Sequence, residues 1–183
     1  TRQSAPKAAR LLLSQGIPAF CDAGEGYFDM PEVRMMLDLL RVIDNAAQDE
    51  PLLAVLRGPA VRLTDEELAE VRIAQPEGSY SDAARAYAKQ ENTLGRRLLV
   101  FYESLSRWRM LARYQPLSRL MLGLMDETGL YARAGALPGG AGRQANLRLL
   151  VLRAEEYESS QGGGLYGFLR LAEHLRRSED SRT

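Results

Sequence analysis

The chain has 183 residues, 45% of them apolar, enough to bury the core of one ordinary domain. Its 24 basic residues balance 24 acidic ones, so net charge offers no argument for nucleic acid and leaves open only a local basic strip. One cysteine, Cys21, excludes an internal disulfide framework. The lack of a signal peptide or a bilayer-spanning apolar run implies a soluble, cytoplasmic protein with no membrane partner.

The chain starts in mid-pattern without a methionine, as an excised piece would. Ser4 to Gln15 carries Ala8, Leu11 and Leu12 at helical spacing, and Gly16 fits the position just past a helix end. Ile17 to Cys21, with Pro18 inside, reads as an edge strand, and Asp22 to Gly26 as a loop. From there the pattern is helical to the end. Asp29 can cap a helix with Pro31 in its first turn and a stripe of Val33, Met36, Leu37, Leu40 and Ile43, ended by Asp44 and Asn45. Asp49 opens a short helix that Gly58 and Pro59 break. Thr64 and Glu67 form a capping box for a helix to about Ile73, and Ser81 or a neighbour opens a weaker helix through Tyr87.

Leu94, Leu98, Phe101, Leu105, Trp108 and Ala112 form the longest regular stripe. It is read as an internal bundle helix with Trp108 as an anchor, the alternative being a partner-binding seam. Helices follow over Leu117 to Met125 (closed by Gly129), Arg143 to Tyr157 and Leu165 to Leu175, with Tyr131 to Ala136 a short helical or irregular segment. Leu137-Pro138-Gly139-Gly140 is a turn, Gly162 to Gly164 interrupt, and the tail from Arg177 is expected to fray.

The chemistry is sparse. No lysine follows the glycine run that a nucleotide-binding P-loop requires. Gly139, Gly140 and Gly142 precede a helix and could present amides to an anion, but a helix-to-helix turn explains them as well. With one histidine, His174, and one cysteine, no ordinary zinc site can be assembled, and nothing in the spacing sets His174 beside a nucleophile. Asp65-Glu66-Glu67 suits a helix's first turn, and Glu155-Glu156 suits a solvated face. The expectation is no catalytic residue, no metal and no bound cofactor in this chain. Of the basic residues only Lys7 and Lys89 are lysines; genomic base composition explains the bias, although guanidinium groups also favour bidentate pairs. Arg57, Arg62, Arg143 and Arg148 lie near breaks and helix starts, where they can meet phosphates or pair with the abundant glutamates.

A set of ordered stretches carries a family resemblance. They are Glu25-Gly26-Tyr27-Phe28 with Glu32-Val33 and Leu39-Leu40-Arg41-Val42-Ile43-Asp44-Asn45; Gln48-Asp49-Glu50-Pro51-Leu52 with Val55-Leu56-Arg57; Leu137-Pro138-Gly139-Gly140; Arg143-Gln144-Ala145-Asn146-Leu147-Arg148; and Gly164-Leu165-Tyr166-Gly167-Phe168-Leu169. The chain resembles the UvrD-like superfamily 1 helicases, and more closely the A subunits of bacterial AddAB helicase–nucleases. The resemblance implies a mainly α fold: residues 1–30 would be a helix–strand remnant of the 2A motor domain, and 31–183 the helical 2B accessory domain. It implies that ATP and Mg are used elsewhere in a larger protein that unwinds and degrades DNA in double-strand break repair with a B subunit. In related helicases 2B touches duplex DNA ahead of the fork and can swivel. The duplex-contacting loop would fall at Gly58-Pro59-Ala60-Val61-Arg62, with Arg62 where a glycine is expected. Arginine tolerates positive φ poorly, so either the loop differs or Arg62 adds a phosphate contact. Phosphate contacts are assigned on this basis to Arg57, Arg62, Arg143 and Arg148. The rival is a protein-docking module, which an exposed Leu94–Ala112 stripe would favour.

Overall fold

The computed structural model describes residues 26–180. The helix expected over Ser4–Gln15, the strand over Ile17–Cys21 and most of the proposed 1–30 unit lie outside the described residues. Within them the fold is mainly α, as the periodicity predicts. A 3-10 turn, Tyr27–Asp29, precedes α1 (Pro31–Asp44), α2 (Asp49–Arg57), α3 (Asp65–Ala74), α4 (Tyr80–Tyr87) and α5 (Thr93–Tyr114). Then come α6 (Leu117–Glu127), α7 (Leu130–Ala136), α8 (Gly140–Gln161) and α9 (Leu165–Asp180).

Helix α1 is the centre. Its stripe residues Val33, Met36, Leu37, Leu40 and Ile43 are buried, and so are Leu39 and Val42 on other faces. An amphipathic helix buries one stripe; α1 buries more because α2, α5, α8 and α9 all pack on it. The 3-10 turn also joins this core. Tyr27 and Phe28, placed by sequence in the N-terminal unit, are buried against α1 and α9 with their rings edge to face at 5.1 Å. Because Asp29 belongs to that turn, with its carboxylate 3.6 Å from the Arg176 guanidinium, Met30 rather than Asp29 takes the cap position of α1.

Several helix ends are closed from a distance. Asp49 does not cap its own helix; its carboxylate accepts the amides of Tyr80 (2.8 Å) and Ser81 (3.2 Å) at the start of α4, beside the Ser79 cap. Glu158 of α8 accepts the Leu117 amide of α6 at 2.5 Å, where Pro116 supplies no side-chain cap. Arg109 of α5 donates to the carbonyls of Ile43 (2.9 Å) and Val42 (3.3 Å) at the end of α1. Such partners answer the amides and carbonyls that every helix leaves unpaired at its ends. Each crosses too much sequence to be read from local spacing.

The α5 stripe is a bundle helix: Leu94, Leu98, Phe101, Leu105 and Trp108 are all buried. The Trp108 indole donates to Glu127 at 2.9 Å. Helix α8 begins three residues before the expected Arg143. Gly139 adopts a left-handed φ of 73°, and a Cβ on Gly140 would lie 2.0 Å from the Gly135 carbonyl oxygen, so these glycines serve the α7–α8 turn. Helix α9 runs on to Asp180, past the point where fraying was expected. Glu173 helps hold it by pairing with Arg176 and Arg177 one turn on.

Candidate nucleic-acid interface

The four arginines singled out by sequence fall on two separate parts of the fold. Arg57 ends α2 and Arg62 lies in the loop between α2 and α3; Arg143 and Arg148 lie on α8.

The loop is built from its glycine onward. The Gly58 amide donates to Ala54 and Val55 and ends α2, and Pro59 has no amide to continue it. The Gly58 carbonyl accepts the Arg62 amide at 2.9 Å, and the Leu63 amide reaches back to Leu56 at 2.8 Å. This tight turn places Arg62 at φ 62°, the one positive φ outside glycine among the described residues. Left-handed backbone costs an ordinary L-residue roughly 1–2 kcal/mol. The conformation expected of a glycine is therefore kept with arginine in its place.

Arg97, on α5, reaches across to this turn. One of its nitrogens donates to the carbonyls of both Val61 (2.9 Å) and Arg62 (2.7 Å). Another pairs with Glu67 at 2.5 Å. Glu67 is the third residue of α3 and closes its capping box; its second oxygen accepts the Thr64 amide at 2.9 Å, and the Thr64 hydroxyl accepts the Glu67 amide at 3.2 Å. A single side chain thus joins three elements around the loop. Beside it lies an open cleft of about 560 Å³, lined by Ala60, Val61, Arg96, Val100 and Trp108 among others.

The Arg62 side chain is exposed and makes no hydrogen bond or ion pair to the described residues. Arg57 is exposed and pairs with exposed Asp65. Arg148 is exposed, its guanidinium 5.6 Å above the Tyr131 ring. Arg143 is committed: Nη1 donates to Glu32 at 2.7 Å and Nε to the Pro138 carbonyl at 3.1 Å. Glu32 is buried, and its other oxygen accepts Asn146 at 2.7 Å. The Asn146 carbonyl accepts the Tyr27 hydroxyl at 2.9 Å. Burial pushes the Tyr27 phenol upward, partly opposed by the nearby Arg153 guanidinium and reinforced by Glu32, so it stays a neutral donor. His174 is exposed on α9.

Sequence reasoning missed Arg97, Glu32 and Asn146. Arg97 sits one position before a core leucine in a stripe that accounts for its neighbours, and its partners are 30 to 36 residues away. Glu32 entered only as part of a resembling stretch, and its burial with Arg143 and Asn146 of α8 makes it a hub.

No protein-family model matches the chain. It does match proteins named as the A subunit of an ATP-dependent helicase/nuclease. The one from Heliobacterium modesticaldum is 46% identical over 170 residues, covering 87% of this chain and 12% of the relative. The one from Geobacillus kaustophilus is 44% identical over 183 residues, covering 97% of this chain and 15% of the relative. That of Bacillus mycoides is 44% identical over 185 residues, covering 98% and 15%. The chain spans only 12–15% of the length of these relatives.

Proposed function

Because this chain is an AddA-type homologue, matching one stretch of those helicase/nuclease A subunits over nearly its own whole length, we propose that it acts as a helical accessory domain that positions duplex DNA for such an enzyme. In this reading it corresponds to the 2B domain. The nucleotide hydrolysis and strand cutting that the relatives' name denotes are supplied by other parts of the assembly, with ATP, Mg and a B subunit, in double-strand break repair.

The observation that carries the reading is the Gly58–Leu63 loop. It keeps the backbone of a glycine turn and displays an uncommitted guanidinium, Arg62, at the position the resemblance assigns to duplex contact. Arg57 and Arg148 add exposed positive charge; Arg143 contributes by holding α8 to α1. Contacts of this kind work through counterion release, so binding is sequence-independent, weak and salt-sensitive. The protein-docking rival draws no support from the Leu94–Ala112 stripe, whose apolar side chains are packed inside the bundle.

A low-salt fluorescence titration with duplex DNA tests the proposal. R57A, R62A and R148A should each weaken binding, and R143A should act mainly on stability. No binding by the folded protein, or binding indifferent to all three exposed arginines, would count against it.

A further inference from the structure

Arg97 grips the carbonyls of Val61 and Arg62 on one side and Glu67 on the other, and Glu67 in turn holds the Thr64 amide. These bonds make a closed circuit around Arg62 and Leu63: loop carbonyls, guanidinium, carboxylate, backbone amide. Two consecutive carbonyls on one nitrogen cannot both turn away unless Arg97 lets go. Arg62 is the loop's uncommitted cation and also its one strained residue. A strained conformer persists where its surroundings over-determine it. Besides the turn's own backbone bonds to Gly58 and Leu56, the surroundings supply one side chain from a different helix, about a third exposed and reachable by solvent.

We propose that Arg97, braced by Glu67, is the positioning residue for phosphate contact: it acts through Arg62 by holding the loop in the left-handed form that displays the Arg62 guanidinium. This rests on the DNA-positioning reading above and adds to it a residue that need not touch DNA. The role requires the planar fork of a guanidinium. A lysine carries the same charge as a single point and cannot serve two carbonyls and a carboxylate in fixed geometry. Without the latch, the displaying conformer is only fractionally populated, and apparent affinity falls by that fraction.

The test uses the full chain, a duplex oligonucleotide and anisotropy titrations over a salt series, with amide hydrogen exchange at Val61–Thr64 measured without DNA. R97K keeps the net charge yet should weaken binding about 3- to 10-fold, move the salt slope toward that of R62A and speed loop exchange. E67Q, which keeps the cap, should do the same to a smaller degree and serves if R97K melts too low to study. R62A should lower the slope by about one, and R97K/R62A should bind no more weakly than R62A alone. If R62A is weakened while R97K and E67Q bind like the parent, or if the R97K and R62A losses multiply, the positioning role is wrong although the DNA reading survives. If R62A binds like the parent, the DNA reading of Arg62 fails and the proposal falls with it, whatever the exchange shows.

Discussion

Arg143 of α8 donates at 2.7 Å to Glu32 of α1, a carboxylate that is only 4% exposed, and so fastens the eighth helix to the central one. Removing one partner of a buried pair leaves the other charge without compensation, which costs more than the pair contributes. Arg143 is itself about a third exposed, and Asn146 still serves Glu32, so the full penalty does not apply. R143M should cost roughly 2 kcal/mol and lower Tm by several degrees. Its salt slope for duplex binding should match the parent's. A thermal melt beside one titration series checks both halves.

Arg62 carries a conformational cost that glycine would not. R62G should hold stability level or raise it by up to about 1 kcal/mol, since relief of the left-handed strain is opposed by the greater freedom of glycine in the unfolded chain. The same variant should bind duplex DNA more weakly, because the guanidinium is gone. Stability and affinity moving in opposite directions is the signature to look for, with chemical denaturation as the readout for stability.

On α5, neighbouring faces should respond very differently. Leu98 is fully buried, whereas Val100 is 60% exposed. L98A should cost about 2–5 kcal/mol through lost transfer energy and the cavity left behind. V100A should stay within about 0.5 kcal/mol. Similar losses at both sites would mean that the helix does not present the described faces.

Glu173 gives a pH dependence. Partial burial would raise its carboxyl pKa, but its hydrogen bond to Arg177 and the charges of Arg176, Arg177 and Arg41 outweigh that and hold it below the ordinary value. A depressed folded-state pKa contributes stability that is present above the unfolded value, near 4.3, and lost as pH falls through the folded value. E173Q should therefore be less stable than the parent at pH 7, by under about 1 kcal/mol because the pairs are partly solvated. The difference should vanish on acidification below the ordinary carboxylate range. A Tm series of both proteins from neutral to acid pH measures it.

The Asp49 carboxylate supports the start of another helix across 31 residues. D49A should cost about 1 kcal/mol, as loss of a cap does, and should speed hydrogen exchange at Tyr80 and Ser81 more than within α2.

Much of the helical order could be read from the chain because it is local. The Thr64–Glu67 box, the Gly58-Pro59 break and the Leu94–Trp108 stripe each depend on residues within a turn or two of one another. What could not be read depends on meetings across the sequence. Asp49 reads only as the first residue of its own helix until α4 is seen to arrive beside it. Arg143 and Arg62 look alike in a one-dimensional search for arginines near breaks. The first proves to be tied to a buried acid brought from 111 residues away, and the second stands free on a strained turn. The family resemblance singles out the loop and makes Arg62 a question, but the side chain that ties the loop to α5 and α3 is Arg97, which no local motif marks.

The most direct test of the DNA-positioning role is the salt dependence of duplex binding by the folded chain, compared with R62A under identical conditions. The account predicts measurable binding at low salt that falls linearly in log–log terms, with a slope for R62A shallower by about one. Superimposable lines for the two proteins, or no binding by the parent at the lowest salt, would contradict it.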